Sequence, residues 1–147
     1  MGARGYSASG VDAADRDSHL AVRLAFIDLQ QGYVDRAAQG FVESLRIDQM
    51  CGSVMMMPSS IAHLSRCAAL QGDVVRAAVL AGGADALLSH RADRWAWGGE
   101  EDRDMNIGEV RAQLGGEFDR AYAEGRDMAA DDIIGLAIRG IGRSDRN

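Results

Sequence analysis

The sequence predicts an all-α protein built from stacked helical hairpins. Of its 147 residues, 47% are hydrophobic, which is enough for one domain with a packed core. Pro58 is the only proline, and no stretch shows the alternation typical of a β-strand. Apolar residues instead recur every three or four positions, as on one face of a helix. We therefore expect about six or seven helices.

Two stretches of the chain are similar at a fixed spacing of 40 residues. Gln31-Gly32 aligns with Gln71-Gly72, and the Arg-Ala-Ala run at 36–38 aligns with the run at 76–78. A period of this length is typical of helical repeats, in which each unit is a pair of helices. Because one hairpin cannot bury its apolar face alone, we expect the two hairpins to stack.

The first hairpin is predicted to begin where Asp17 or Ser18 can cap a helix. This helix is predicted over about 18–31, and Gly32 ends it because glycine adopts a left-handed conformation without steric cost. The second helix is predicted over about 34–47. The residues expected to face the core are Leu20, Leu24, Ile27 and Leu29 in the first helix, and Val34, Ala38, Phe41, Val42 and Leu45 in the second.

The second hairpin follows the same plan. Ser59 or Ser60 is a candidate cap for its first helix, and Asp73 is a candidate cap for its second helix, over about 74–89. Gly82-Gly83 lies near the middle of that second helix. Since glycine weakens a helix by about 1 kcal/mol relative to alanine, we interpret the pair as a close contact with another helix.

Three shorter helices are predicted after the second hairpin, forming a helical cap on the stack. They cover residues 100–114, 117–124 and 131–138, and the middle helix is expected to stop at Gly125. We expect one helical-repeat domain over residues 17–139. Two flexible tails are expected on either side of it, over residues 1–16 and 140–147.

Charge and composition argue against several classes of function. All 16 basic residues are arginines, the net charge is −6 and the pI is about 5.0, so the chain lacks the basic patch of a nucleic-acid-binding protein. No apolar run approaches the roughly 20 residues that span a bilayer. With only Cys51 and Cys67, and no signal-peptide pattern, the sequence favours the cytoplasm.

The sequence contains no strong pattern for catalysis or metal binding. His63 and Cys67 are four residues apart and can share a helix face, but a closed zinc site needs four ligands and Cys51 is the only obvious third. Nothing orients His63 as the base of a cysteine nucleophile. We therefore expect a non-enzymatic protein without a metal or cofactor.

Two stretches are candidates for contact with a partner. The run Met55-Met56-Met57 offers a flexible apolar surface, because methionine suits adaptable binding sites; alternatively, it starts the third helix and packs inside. Trp95 and Trp97, beside Arg94, are typical of an interface anchor, or they cover the end of the repeat stack. The candidate partner-binding or effector-binding residues are Met55, Met56, Arg94, Trp95 and Trp97.

The second hairpin and the region after it resemble a known family. The runs ALQGDVVRAAVLAGGADALL (69–88) and LGGEFDRAYAEGRDMAADDIIGLAI (114–138) are similar to the C-terminal ends of actinobacterial transcriptional regulators, the LuxR-type and adenylate-cyclase-associated ATPases. There, a tetratricopeptide-like array ends in a Gly-acidic-x-x-Arg-Ala-Ala pattern, followed by a characteristic tail. Residues that match the tail are Leu114, Gly115, Phe118, Ala121, Glu124, Gly125 and Arg126.

The resemblance covers about residues 24–138 and implies only part of the family's functions. Trp95 and Trp97 stand where the family has a proline-rich turn, and Ala129 stands where a serine caps the last helix. The nucleotide-binding loop of that family requires a lysine, which this chain does not contain. The resemblance therefore implies a tetratricopeptide-like fold and an interaction or sensor role, without ATPase or DNA-binding activity.

Two functions remain as hypotheses. The first is a non-enzymatic interaction module that binds a protein partner or a second copy of the chain, because stacked hairpins present a groove. The alternative is a sensor that binds a small effector between helices near Trp95 and Trp97. An interaction module requires an exposed apolar patch, whereas a sensor requires a pocket.

Overall fold

The computed structural model describes residues 8–54, 56–88 and 99–139, and all regular structure within these ranges is helical. This confirms the all-α prediction. The seven helices are α1 (Ala8–Gln30), α2 (Val34–Cys51), α3 (Met57–Leu70), α4 (Val74–Leu88), α5 (Gly99–Leu114), α6 (Glu117–Asp127) and α7 (Ala130–Arg139).

The first four helices form two hairpins in a row. Helix α1 packs on α2, α2 packs on α3, and α3 packs on α4, so that α3 lies between two other helices. Helix α4 then packs mainly against α6, and it also contacts α5 and α7. A single hydrophobic core runs through this arrangement from Val22 in α1 to Ala137 in α7. No helix in the described part of the chain is long and apolar enough to cross a membrane.

The turns of the two hairpins have the same geometry. Gly32 and Gly72 both have a φ of +90°, where a side chain would be strained. The amide of each glycine donates to the carbonyl three residues before it at 3.1 Å. The next amide donates to the carbonyl five residues before it at 2.9 Å. These bonds form a Schellman motif at each turn, so the spacing of 40 residues in the sequence corresponds to a repeated local structure.

Helix α1 differs from its prediction in both extent and orientation. It begins at Ala8, so residues 8–16, which were predicted as part of a tail, are helical. Leu20, Leu24 and Ile27, which were predicted to face the core, are 56%, 55% and 47% exposed, while Leu29 is partly buried. The buried face instead consists of smaller residues, namely Ala14, Ser18, Val22 and Ala25.

Small side chains allow α1 to lie close to α2. The Ser18 and Ser44 hydroxyls are 2.8 Å apart in this interface, and both side chains are fully buried. The prediction for α1 was wrong because it followed the largest apolar residues, whereas close packing selected the small ones. In α2 the prediction is confirmed for Ala38, Phe41, Val42 and Leu45, which are buried, while Val34 is partly buried against the core.

The helix caps were predicted with mixed success. Asp73 does cap α4, because its Oδ1 accepts a hydrogen bond from the amide of Arg76 at 3.4 Å. Ser59 and Ser60 do not cap α3; they are buried inside its first turn. Pro58 takes an early position in α3, where its missing N–H leaves no intrahelical bond unmade.

Glycines in α4 and α6 allow two helix backbones to touch. A Cβ atom built on Gly82 would overlap the carbonyl oxygen of Tyr122, and one built on Gly125 would overlap the carbonyl oxygen of Val79. The predicted helix contact at Gly82-Gly83 is therefore confirmed. Gly125, however, does not stop α6, which continues to Asp127; it serves the same contact from the other side.

Candidate functional site

The predicted binding residues fall mostly outside the described part of the chain. Met55, Arg94, Trp95 and Trp97 lie there, and so does the predicted effector site around the tryptophans. Met56 is described; it is 2% exposed and belongs to the hydrophobic core. Met56 therefore packs inside the protein, which is the second of the two alternatives for the methionine run.

An exposed apolar stripe lies along α1. Its residues Leu20, Leu24 and Ile27 occupy one helix face, because they are spaced by four and three positions. The hairpin repeat relates this stripe to a buried face of α3. The residues 40 positions further on are Ser60, Leu64 and Cys67, which are 0%, 4% and 1% exposed.

The different exposure follows from the position of each helix in the row. Helix α3 has α2 on one side and α4 on the other. Helix α1 has α2 as its main neighbour, and no described helix covers its stripe. The stripe on α1 is thus exposed at positions whose equivalents on α3 are covered by a neighbouring helix.

A cavity of about 290 Å³ lies between α1, α3, α4 and α5. It exists because α4 carries little bulk on this side. Phe41 and Leu45 fill the core of the first hairpin, and the equivalent residues in the second hairpin are Ala81 and Asp85. Both Ala81 and Asp85 line the cavity. The second hairpin therefore encloses a space that the first hairpin fills with side chains.

His63 is a buried and oriented residue of the cavity wall. Its ring stacks on Phe41 at a centroid distance of 4.9 Å and meets Phe26 edge-on at 5.4 Å. Its Nδ1 lies 2.7 Å from the carbonyl oxygen of Ser59. Because a carbonyl can only accept, Nδ1 carries the proton and Nε2 is left as an acceptor. Burial lowers the pKa of His63 below its ordinary value, although the bond to Ser59 opposes this, so the ring is neutral at pH 7.

A second polar group on the cavity wall is held by a short chain of hydrogen bonds. Ser65 donates its hydroxyl proton to the carbonyl oxygen of Ala77 at 2.7 Å. Its oxygen must then accept from Asn106, whose Nδ2 lies 2.9 Å away. This fixes the orientation of the Asn106 amide. Its Oδ1 is buried and has no hydrogen-bond partner among the described residues.

Two charged side chains of the wall, Asp85 and Arg103, are paired with each other. Arg103 makes two hydrogen bonds to the Asp85 carboxylate, at 2.8 and 2.5 Å, and the Tyr122 hydroxyl donates to the same carboxylate. The bond to Asp85 raises the pKa of Arg103. Burial, followed by the bond to Asp85, raises the pKa of Tyr122. The cluster links α4, α5 and α6 and fixes one side of the cavity.

The possible metal half-site does not gain further ligands in the structure. Among the described residues, no group of three or more histidine, cysteine, aspartate or glutamate side chains is placed to hold a metal ion. Cys67 is 1% exposed, and burial raises the pKa of its thiol to about 12. It is therefore a protonated core residue at neutral pH.

Comparisons of the chain with protein-family models, curated proteins and solved structures gave no match. The function therefore has to be inferred from the geometry of the chain itself. Sequence reasoning had not selected Ser65, Asp85 or Asn106. The exchange of Phe41 and Leu45 for Ala81 and Asp85 between the aligned hairpins is the signal that points to the cavity.

Proposed function

We propose that this chain is a non-enzymatic, tetratricopeptide-like interaction module whose α1 stripe binds an amphipathic helix of a protein partner. The observation behind this proposal is the difference in exposure between the two hairpins. Leu24 is 55% exposed on α1, and its equivalent Leu64 is 4% exposed on α3. The resemblance to the C-terminal arrays of transcriptional regulators supports the same role.

The internal repeat indicates what kind of partner fits. Helix α3 is covered by α2, an amphipathic helix whose apolar residues face the core. A partner helix that approaches α1 in the same way presents apolar side chains at three- and four-residue spacing. The partner is thus a helix, and not an extended peptide or a nucleic acid.

The size of the stripe limits how strong this contact alone can be. Burying a large aliphatic side chain completely contributes about 1.5–3 kcal/mol, and these three side chains are already about half buried. The stripe then contributes roughly 2–4 kcal/mol, which corresponds to millimolar affinity or weaker. A stable complex therefore requires a partner that also contacts residues beside the stripe, as a helical hairpin does.

A tandem duplication of residues 14–53 tests this proposal. The duplicated segment equals one repeat, so its second helix can cover the original α1 in the way that α2 covers α3. We expect one cooperative unfolding transition in urea with a larger m-value than that of the parent chain, since more surface becomes exposed on unfolding. Leu24→Glu in the original copy is the matched control, and it should separate the added hairpin from the rest. A separate, weaker transition in the duplicated chain without this substitution would contradict the proposal.

A further inference from the structure

The cavity between α1, α3, α4 and α5 lies where the first hairpin carries an aromatic ring. In the first hairpin, the ring of Phe41 on α2 stacks on the ring of His63 on α3, at a centroid distance of 4.9 Å and an interplanar angle of 12°. The residue of α4 equivalent to Phe41 is Ala81, which has only a methyl group and lines the cavity. The second hairpin therefore lacks a ring at a position where the first hairpin has one.

The α5 side of the cavity extends this comparison between the hairpins. Helix α5 contacts α3 and α4, as α3 contacts α1 and α2. Arg103 of α5 comes 40 positions after His63, and it lines the cavity together with Ala81. The stacked pair of Phe41 and His63 thus corresponds to a pair of Ala81 and Arg103, from which the ring is missing.

The guanidinium of Arg103 is a planar group on which a ring can stack. Its Nε and Nη2 donate to the two carboxylate oxygens of Asp85 at 2.8 and 2.5 Å, and its Nη1 donates to Asp104 at 2.5 Å. Because N–H groups of a guanidinium point outwards in its plane, these bonds fix its orientation and do not use its faces. A guanidinium face attracts an aromatic ring by stacking and by cation–π interaction.

The other residues of the wall favour a neutral, largely apolar ligand. Arg66 is paired with Glu109. Asp85 is paired with Arg103, and Asp102 is exposed to solvent. A charged ligand would lose its hydration without meeting an unpaired buried charge among these residues, which is unfavourable. Apolar surface on the wall comes from Phe26, Leu29, Leu70, Ala84, Met105 and Ile107.

From these observations we propose that the cavity binds a small neutral aromatic molecule, whose ring lies between Ala81 and Arg103 as the ring of Phe41 lies against His63. The ring is buried against the apolar wall and stacks on the guanidinium. A volume of about 290 Å³ is at the lower end of the range of small-molecule sites, which fits a compound with a single ring. This site goes beyond the proposed interaction role and does not depend on the α1 stripe.

A matched series of probes tests the proposal on the intact chain. Benzyl alcohol is the neutral aromatic probe, pentafluorobenzyl alcohol has a ring face that repels cations, and benzoate carries a charge. Two-dimensional amide NMR titrations give the Kd of each probe and map its site. We expect benzyl alcohol to bind with shifts centred on Ala81 and Arg103. Pentafluorobenzyl alcohol should bind about threefold more weakly, and benzoate at least about tenfold more weakly.

The variant Ala81→Phe tests where the ring lies. It places in α4 the side chain that α2 has at the equivalent position, so we expect it to fill the cavity and to weaken benzyl alcohol binding at least about tenfold. Ala123→Phe is the matched control, because it adds the same side chain at an exposed position of α6 and should leave the Kd unchanged.

Several results would overturn the proposal. In the original chain, these are benzyl alcohol shifts that do not saturate or that map away from the cavity, and a fluorinated or charged probe that binds as tightly as benzyl alcohol. Unchanged benzyl alcohol binding in folded Ala81→Phe is a further one. The probe series decides the question even if this variant does not fold.

Discussion

Gly82 of α4 and Gly125 of α6 lie in reciprocal backbone contact. A Cβ atom on either glycine would overlap a main-chain carbonyl oxygen of the other helix, that of Tyr122 or that of Val79. The contact brings α6 against the second hairpin, and α6 in turn supplies Tyr122 to the Asp85 cluster. The C-terminal helices are thus anchored to the repeat pair by a fit that only glycine permits.

Substituting either glycine should therefore destabilise the fold. For Gly82→Ala and Gly125→Ala we expect a loss of at least about 1–3 kcal/mol in the free energy of unfolding, because a carbonyl cannot move aside as a flexible side chain can. Gly108 in α5 is the matched control, since a Cβ atom there meets nothing within 4 Å. Gly108→Ala should stabilise the chain by about 0.5–1 kcal/mol, and urea denaturation measures all three. Similar free energies for the three variants would contradict this contact.

The hairpins and the glycine contact were predictable from the sequence because their signals are local. Gly32 and Gly72 mark two turns with the same hydrogen bonds, and two adjacent glycines inside a helix indicate close packing, which the contacts of Gly82 and Gly83 confirm. The buried face of α1 was not predictable in this way. Leu20 and Leu24 follow helical spacing, and so do Val22 and Ala25. Only the fit against α2 decides which of these two helix faces is buried.

The cavity could not be predicted from local patterns either. Asn106 reaches Ser65 across 41 positions of the chain, and nothing near either residue in the sequence signals the contact. The origin of the cavity becomes visible only when the sequences of the two hairpins are aligned, since Ala81 then occupies the place of Phe41. The cavity therefore forms where the second hairpin departs from the first.

Stability should depend on pH through His63. Burial lowers its pKa in the folded state below the ordinary value of 6.5, so the unfolded chain binds the proton more readily. The contribution of the neutral ring to the free energy of unfolding is fully present above pH 6.5, and it is lost as the pH falls towards the folded-state pKa. We expect the free energy of unfolding to decrease from pH 7 to pH 5, and this slope to be smaller in His63→Phe.

Urea denaturation at several pH values measures that slope. Gly108→Ala serves as the control, because this substitution removes no titratable group and its Cβ atom meets nothing within 4 Å. If the original chain and His63→Phe showed the same slope over this range, the assigned state of His63 would be incorrect.

Removing the carboxylate of Asp85 should affect this cluster more than removing the carboxylate of Asp104. Asp85→Asn removes the acceptor shared by Arg103 and Tyr122, and we expect a loss of roughly 1–3 kcal/mol in the free energy of unfolding. The pKa of Tyr122 should fall towards its ordinary value, although burial still raises it. Asp104→Asn is the control, since the Asp104 carboxylate accepts from Arg103 on the exposed side of the cluster. NMR titration of the tyrosine ring would contradict this account if both variants shifted its pKa equally.

The most direct test of the proposed interaction surface is the reactivity of a thiol placed on the α1 stripe. Ile27 is equivalent to Cys67, which is buried at the same position of the next repeat. With Cys51 changed to Ser, an Ile27→Cys thiol should react rapidly with a maleimide in the parent chain. In the chain with residues 14–53 duplicated, the same thiol in the original copy should become as slow to react as Cys67, because a helix now covers it. Equal, rapid reaction in both chains would show that the α1 stripe does not accept a neighbouring helix.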